Sequence, residues 1–119
     1  MKVKRGDVVL IDYPFSDGSG AKVRPALVVQ NDRRNAKLTQ TIVALITKNL
    51  NHVATDATQL LIDIAAPDGR ASGLTANSAV KCGNLLTVDE AMIRRKIGVL
   101  STALMLHINT CLREAFELP

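Results

Sequence analysis

Two short apolar runs separated by a polar segment constrain the fold of this chain more than any other feature. Ala26-Leu27-Val28-Val29 and Thr41-Ile42-Val43-Ala44-Leu45-Ile46 are rich in β-branched residues and bounded by turn-forming ones, so both read as buried strands. Between them, Asn31-Asp32-Arg33-Arg34-Asn35 carries turn chemistry, because Asn and Asp side chains hydrogen-bond their own backbone in competition with a ladder. If the runs pair antiparallel, Arg24 at the start of one and Thr47 at the end of the other lie at the same sheet edge. A cation and a hydroxyl then face one loop-lined surface.

The rest of the chain extends this pattern. Lys4 to Tyr13, centred on Val8-Val9-Leu10-Ile11, predicts a first strand, and the Gly- and Ser-rich stretch 14–22 a flexible hairpin loop with an Asp17-Gly18 turn signal. Lys48 to Thr58 is polar and irregular, suited to a short helix or a mobile, lid-like loop. Gln59 to Ile64 predicts a fourth strand closed by a turn at Pro67-Asp68-Gly69-Arg70. Thr75 to Leu86 predicts a fifth, bulged or bent at Gly83-Asn84. Thr87 to Glu90 reads as a short helix or turn, and Ile93 to Val99 as a last short strand.

Ser101 to Leu118 is the clearest helix, with Ser101 as N-cap and no capping box, since Leu104 stands where Glu or Gln would be needed. Leu104, Ile108, Cys111, Leu112 and Ala115 form an apolar stripe for packing on the sheet, and His107 and Phe116 beside it are expected to pack as well. The fold class is therefore mainly antiparallel β with a C-terminal helix.

A chain of 119 residues is one domain by length, large enough to bury roughly 65–70% of its unfolded surface. It has no run of about 18 apolar residues, and Asp7 interrupts the N-terminus before a signal-like core could form, so a soluble, cytoplasmic protein is expected. Cys82 and Cys111 have no second ligand nearby at metal spacing and read as reduced core or half-buried thiols; neither a metal nor a cofactor is expected. Fifteen Lys and Arg against eleven Asp and Glu give a net charge of +4, compatible with a polyanionic partner without demanding one. The basic residues fall in four clusters, Lys2-Lys4-Arg5, Lys22-Arg24, Arg33-Arg34-Lys37 and Arg94-Arg95-Lys96. Taken singly each is equally a solvated loop; only convergence on one face would make a binding surface.

Gly6-Asp7-Val8-Val9, the loop from Pro14 to Lys22, Val23-Arg24-Pro25-Ala26-Leu27-Val28-Val29-Gln30-Asn31-Asp32 and Ala44-Leu45-Ile46-Thr47 together resemble the MazF/PemK family of toxin endoribonucleases, over nearly the whole chain. That resemblance implies an SH3-like, partly closed barrel and a homodimer with an RNA groove lined by its loops. The implied activity is sequence-specific, metal-independent cleavage of single-stranded RNA, leaving a 2',3'-cyclic phosphate and a 5'-hydroxyl. A cognate antitoxin with a disordered acidic tail would compete with RNA for the same cations.

By resemblance, Arg24 is the principal catalytic residue and Thr47 its partner. The assignment is chemically sound: a guanidinium fork matches two phosphate oxygens, and a threonine hydroxyl can hydrogen-bond the scissile phosphate. The alternative is a structural strand-end arginine and a β-forming threonine. The loop residues Phe15, Ser16, Asp17, Ser19 and Lys22, with Lys48 and His52 beyond Thr47, are the expected RNA contacts. Phe15 is suited to base stacking, whereas Tyr13 reads better as core. The acid that the family often carries shortly before its Arg-Pro step has only Asp17 as a counterpart. His52 and His107 offer a rival acid–base pair of lower weight. Two other functions compete: a non-catalytic poison of DNA gyrase on the same scaffold, and an inactive relative that only binds antitoxin.

Overall fold

The computed structural model describes residues 1–14 and 20–119, without the side chains of Pro14 and Ala21. Phe15, Ser16, Asp17 and Ser19 therefore lie outside the described residues. Six strands form one antiparallel sheet: β1 (Asp7–Pro14), β2 (Ala21–Val28), β3 (Gln40–Thr47), β4 (Gln59–Ile62), β5 (Ser78–Asp89) and β6 (Ile93–Val99), ordered β4-β5-β3-β2-β1-β6. Three helices accompany them: α1 (Asp32–Lys37), α2 (Pro67–Ala71) and α3 (Thr102–Phe116).

The central strands are apolar on both faces because both faces are covered. Successive residues alternate between two cores: Leu27, Ala44, Ile46 and Val80 pack with Ile108 and Cys111 of α3, while Ala26, Val28, Val43 and Val88 pack with Val3, Ile11 and Ile93 on the other side. The sheet remains open between β4 and β6, yet the outer edge of β6 is not bare. The segment Ala71-Ser72-Gly73 lies directly against it, so close that a Cβ on Gly73 would overlap the Ile97 carbonyl and one on Gly98 would overlap Ala71 and Ser72. This strap completes a partly closed barrel.

The polar segment after β2 is a helix rather than the expected turn. Asn31 caps it, its side chain accepting from the Arg34 N–H at 2.8 Å, which is the N-terminal use of the chemistry that suggested a turn. Asn35 is buried; its Oδ1 accepts from Gln30 Nε2 at 2.9 Å and from the Thr41 hydroxyl at 2.7 Å. Asp32 accepts the Arg5 N–H at 2.7 Å, the main reason its carboxyl is held below the usual range. The Gln30-Asn31-Asp32 motif is thus scaffold, ordering the end of β2 opposite Arg24.

Pro67 begins the short helix α2 instead of a turn, its missing N–H harmless at the first helical position. The fifth strand begins later and runs further than expected, through Asp89, before a 3-10 turn at Glu90–Met92. Its bulge is where Gly83-Asn84 placed it: Ala44 pairs Leu85 but Leu45 pairs Lys81, leaving 82–84 extra. Ser101 caps α3 as expected, accepting the Leu104 N–H at 3.1 Å. Ile108 and Cys111 of the stripe are buried, but His107 is exposed and Phe116 is 57% exposed. Phe116 ends the helix just before Glu117 turns left-handed at φ 54, where α3 runs off the sheet.

Cys82 and Cys111 are buried in one core. Burial, with Cys111 adding to it, pushes the Cys82 thiol up to about 12, and the unfolded chain releases that proton near pH 8.5. Stability is therefore full below about pH 8.5 and declines as pH rises from there toward 12, because the unfolded state ionises first. Urea midpoints measured from pH 7 to 10.5 should show this decline. In Cys82→Ala the decline should largely vanish, from a lower starting stability.

Candidate functional site

The site lies where β2 and β3 part. In the ladder between them Ala26 faces Leu45, Leu27 faces Ala44 and Val28 faces Val43, and Val29 N–H donates to the Ile42 carbonyl at 2.9 Å. Hydrogen-bonded pairs alternate along an antiparallel ladder. By that alternation the nitrogen of Pro25 points at β3, toward the Ile46 carbonyl, where it has no proton to donate. The pairing with β3 stops at Ala26, and one step beyond the proline Arg24 lies across from Thr47 at the end of β3; Arg24 is not at the strand start expected for it but mid-strand in β2, paired with Ile11 of β1.

Both residues line a cavity of about 530 Å³. Lys22, Lys48 and Arg95 line it as well, with Leu10, Pro25, Ile46 and Ile97 forming apolar wall. Among the described residues no carboxylate lines it, and none pairs with Arg24. A second depression of about 240 Å³ shares Arg24, Ile46 and Thr47 and adds Tyr13, Leu45, Lys81 and Asn84. A third, about 60 Å³, brings His52, Asn49, Gln59 and Lys81 around Thr47. Thr47 is the residue that all three share.

The Thr47 hydroxyl is oriented by its own loop. Its oxygen accepts the Asn49 N–H at 3.1 Å, which occupies one lone pair and leaves the hydroxyl proton to be donated elsewhere. The loop that follows does not form the helix anticipated as one alternative for it. It is a series of turns tied by side chains: Asn49 accepts from Asn51 N–H at 3.0 Å, and Asp56 accepts from the Thr58 hydroxyl and N–H at 2.7 and 2.9 Å. Those bonds to Thr58 hold the Asp56 carboxyl below its usual range.

The four basic clusters divide. Lys2 pairs with Glu90 at 3.2 Å, Arg94 with Asp12 at 2.6 Å and Lys96 with Asp7 at 3.1 Å, so these cations are neutralised locally. Arg33, Arg34 and Lys37 belong to α1, at the opposite end of β2. Lys22, Arg24, Lys48 and Arg95 converge on the cavity. Of the expected RNA contacts, Lys22, Lys48 and His52 are brought to the site; His107, the other half of the rival acid–base pair, is exposed on α3 and lines none of these cavities. Tyr13, read as core, is half-buried against the second core and also lines the smaller pocket.

Arg95, Lys81 and Asn84 are site residues that sequence reasoning missed. Arg95 stands between two arginine and lysine neighbours that the fold pairs with acids, and nothing in the run itself distinguishes it. Lys81 precedes the extra residues of the β5 bulge and Asn84 is the last of them, and the Gly83-Asn84 break was the available signal, since bulges re-aim side chains beside active sites. Among the described residues no cluster of three His, Cys, Asp or Glu could hold a metal ion, and no helix is long and apolar enough to cross a membrane.

Comparison with known proteins identifies the family. Residues 4–116 match the family described as PemK-like, MazF-like toxin of type II toxin-antitoxin system. Endoribonuclease EndoA of Bacillus subtilis is 31% identical over 119 residues, covering 99% of this chain and 97% of that protein. Endoribonuclease MazF of Staphylococcus epidermidis is 29% identical, over 92% of this chain and 88% of that protein. Among solved structures, an endoribonuclease in complex with its cognate antitoxin from mycobacterial species superposes with a TM-score of 0.78 at 26% identity, covering 98% and 97% of the two chains. With the Arg-Pro step opening its cation-lined cavity and the match spanning nearly every residue, the chain belongs to the PemK-like, MazF-like toxin family.

Proposed function

We propose that this chain is a sequence-specific endoribonuclease toxin of a type II toxin–antitoxin system, acting without a metal on single-stranded RNA in the cytoplasm, with residues 1–119 as one toxin domain. The observation that carries this reading is the placement of Arg24 and Thr47 where β2 and β3 part, in a cavity that gathers cations and no described carboxylate. Such a lining attracts a polyanion.

In the reaction, the 2'-hydroxyl of one nucleotide gives up its proton to solvent as its oxygen attacks the adjacent phosphorus, and the bond to the 5'-oxygen breaks as that oxygen takes up a proton. A cyclic phosphate and a free 5'-hydroxyl result. The Arg24 fork takes the two non-bridging oxygens as negative charge builds on the phosphorane. Thr47, its oxygen accepting from the Asn49 N–H, donates a hydrogen bond to the same group. Lys22, Lys48 and Arg95 hold flanking phosphates, His52 stands beside Thr47 as a further RNA contact, and Phe15, Ser16, Asp17 and Ser19 complete the loop side of the groove. A homodimer would join two such cavities. The antitoxin of the mycobacterial neighbour supports a cognate antitoxin here, its acidic tail occluding the cationic cavity.

The test is incubation of the purified protein with a long mixed-sequence RNA in EDTA, the ends mapped by primer extension and end-group chemistry. Cuts at one short motif, with cyclic phosphate and 5'-hydroxyl ends, are expected. Intact RNA, or cuts that require an added divalent cation, would sink the proposal.

A further inference from the structure

The bulge in β5 builds a feature that phosphate chemistry leaves unused. Because Leu45 pairs Lys81 while Ala44 pairs Leu85, the three extra residues bow away from β3, and the Cys82 N–H is tied to the Thr58 carbonyl at 3.0 Å. At the rim of this bow, Asn84 is exposed and its amide makes no hydrogen bond among the described residues. Asn84 and Tyr13 line the same pocket of about 240 Å³, which Arg24 and Thr47 line as well. The pocket thus combines an aromatic side chain, a donor–acceptor amide and the ammonium of Lys81, next to the groups assigned to the scissile phosphate.

We infer that this pocket receives one unpaired RNA base flanking the scissile phosphate, stacked on Tyr13 and read along its edge by the Asn84 amide. The inference rests on the nuclease reading above and names a source of its base preference. Stacking tolerates any base, since every base has a π-face; a carboxamide, offering one donor and one acceptor side by side, discriminates between base edges. Tyr13 therefore supplies affinity and Asn84 supplies choice. Lys81, a donor only, favours bases that present an acceptor to it.

One randomised single-stranded RNA pool, offered to wild type, Asn84→Ala and Tyr13→Leu, tests this when bound and cleaved fractions are both sequenced. In Asn84→Ala, preference at a single position beside the cut should fall about tenfold, the other positions keeping theirs. In Tyr13→Leu, binding should weaken about tenfold for all sequences alike. Melting curves establish that both variants are folded; Asn84 is exposed, so its variant remains informative even if loss of Tyr13 loosens the core. Cleavage by Asn84→Ala at an unchanged motif would overturn the inference and leave the nuclease reading intact. Base enrichment in the bound fraction that depends on Asn84, without any cleavage, would support the pocket and remove the nuclease reading. Neither enrichment nor cleavage would remove both.

Discussion

Arg24→Ala should lower RNA cleavage by about a thousandfold or more while leaving the protein folded. Loss of a single preorganised donor to a developing oxyanion costs about 10²–10³ in rate, and a guanidinium on a transferring phosphoryl group is worth up to about 10⁵. Arg24 is exposed and has no described carboxylate partner, so its removal strands no buried charge. The melting curve should stay within about 0.5 kcal/mol of wild type. Arg24→Lys should recover only a small part of the activity, because a point charge cannot engage two oxygens at once. Single-turnover cleavage of a mapped oligonucleotide measures all three. A variant that cuts at the wild-type rate would return Arg24 to the role of a solvated strand residue. A wild-type protein that stops growth without cutting RNA, equally in the Arg24→Ala form, would revive the gyrase-poison alternative.

The second large effect is on stability. Gly73→Ala should destabilise the fold by roughly 3–5 kcal/mol, lowering the melting temperature by on the order of 15 °C. Gly73 sits at φ 75, and a Cβ there would overlap the Ile97 carbonyl and carbon. A methyl group thus meets both a disfavoured backbone conformation and rigid backbone atoms of β6, with no flexible side chain to yield. Gly83→Ala is the control, since its Cβ would meet only the Thr58 hydroxyl at 3.6 Å and should change stability little. Equal melting temperatures for Gly73→Ala and wild type would mean that the strap is not held tightly against β6.

Strand identities followed from β-branched runs, and the α3 stripe from its 3.6-residue period, because those signals record burial directly. Arg24 and Thr47 could be placed at one edge from two runs alone, because register in a pair of buried strands leaves little freedom. The helix at Asp32–Lys37 was hidden because the same Asn that favours a turn also caps a helix, and only the buried Gln30–Asn35–Thr41 network decides between them. Arg95 was illegible for a different reason. Whether it faces the cavity depends on Asp12 and Asp7 claiming its neighbours, and both acids lie more than 80 residues away in sequence. The strap on β6 is equally non-local, and no local pattern announces it.

That strap also fixes the order in which the cavity can be assembled. β1 has β2 available on one side almost at once, but its other edge must wait for β6, which pairs Asp7 with Val99. Pairings of such long sequence separation form late, after the entropy of a large loop has been met. Arg95 is carried by this last strand, and Ala71-Ser72-Gly73 has nothing to rest against until it arrives. A ribosome that has already synthesised Arg24 and Thr47 therefore still carries a nascent chain without a complete cavity. The cavity that gathers Lys22, Arg24, Thr47 and Arg95 can close only once nearly all of these elements are present.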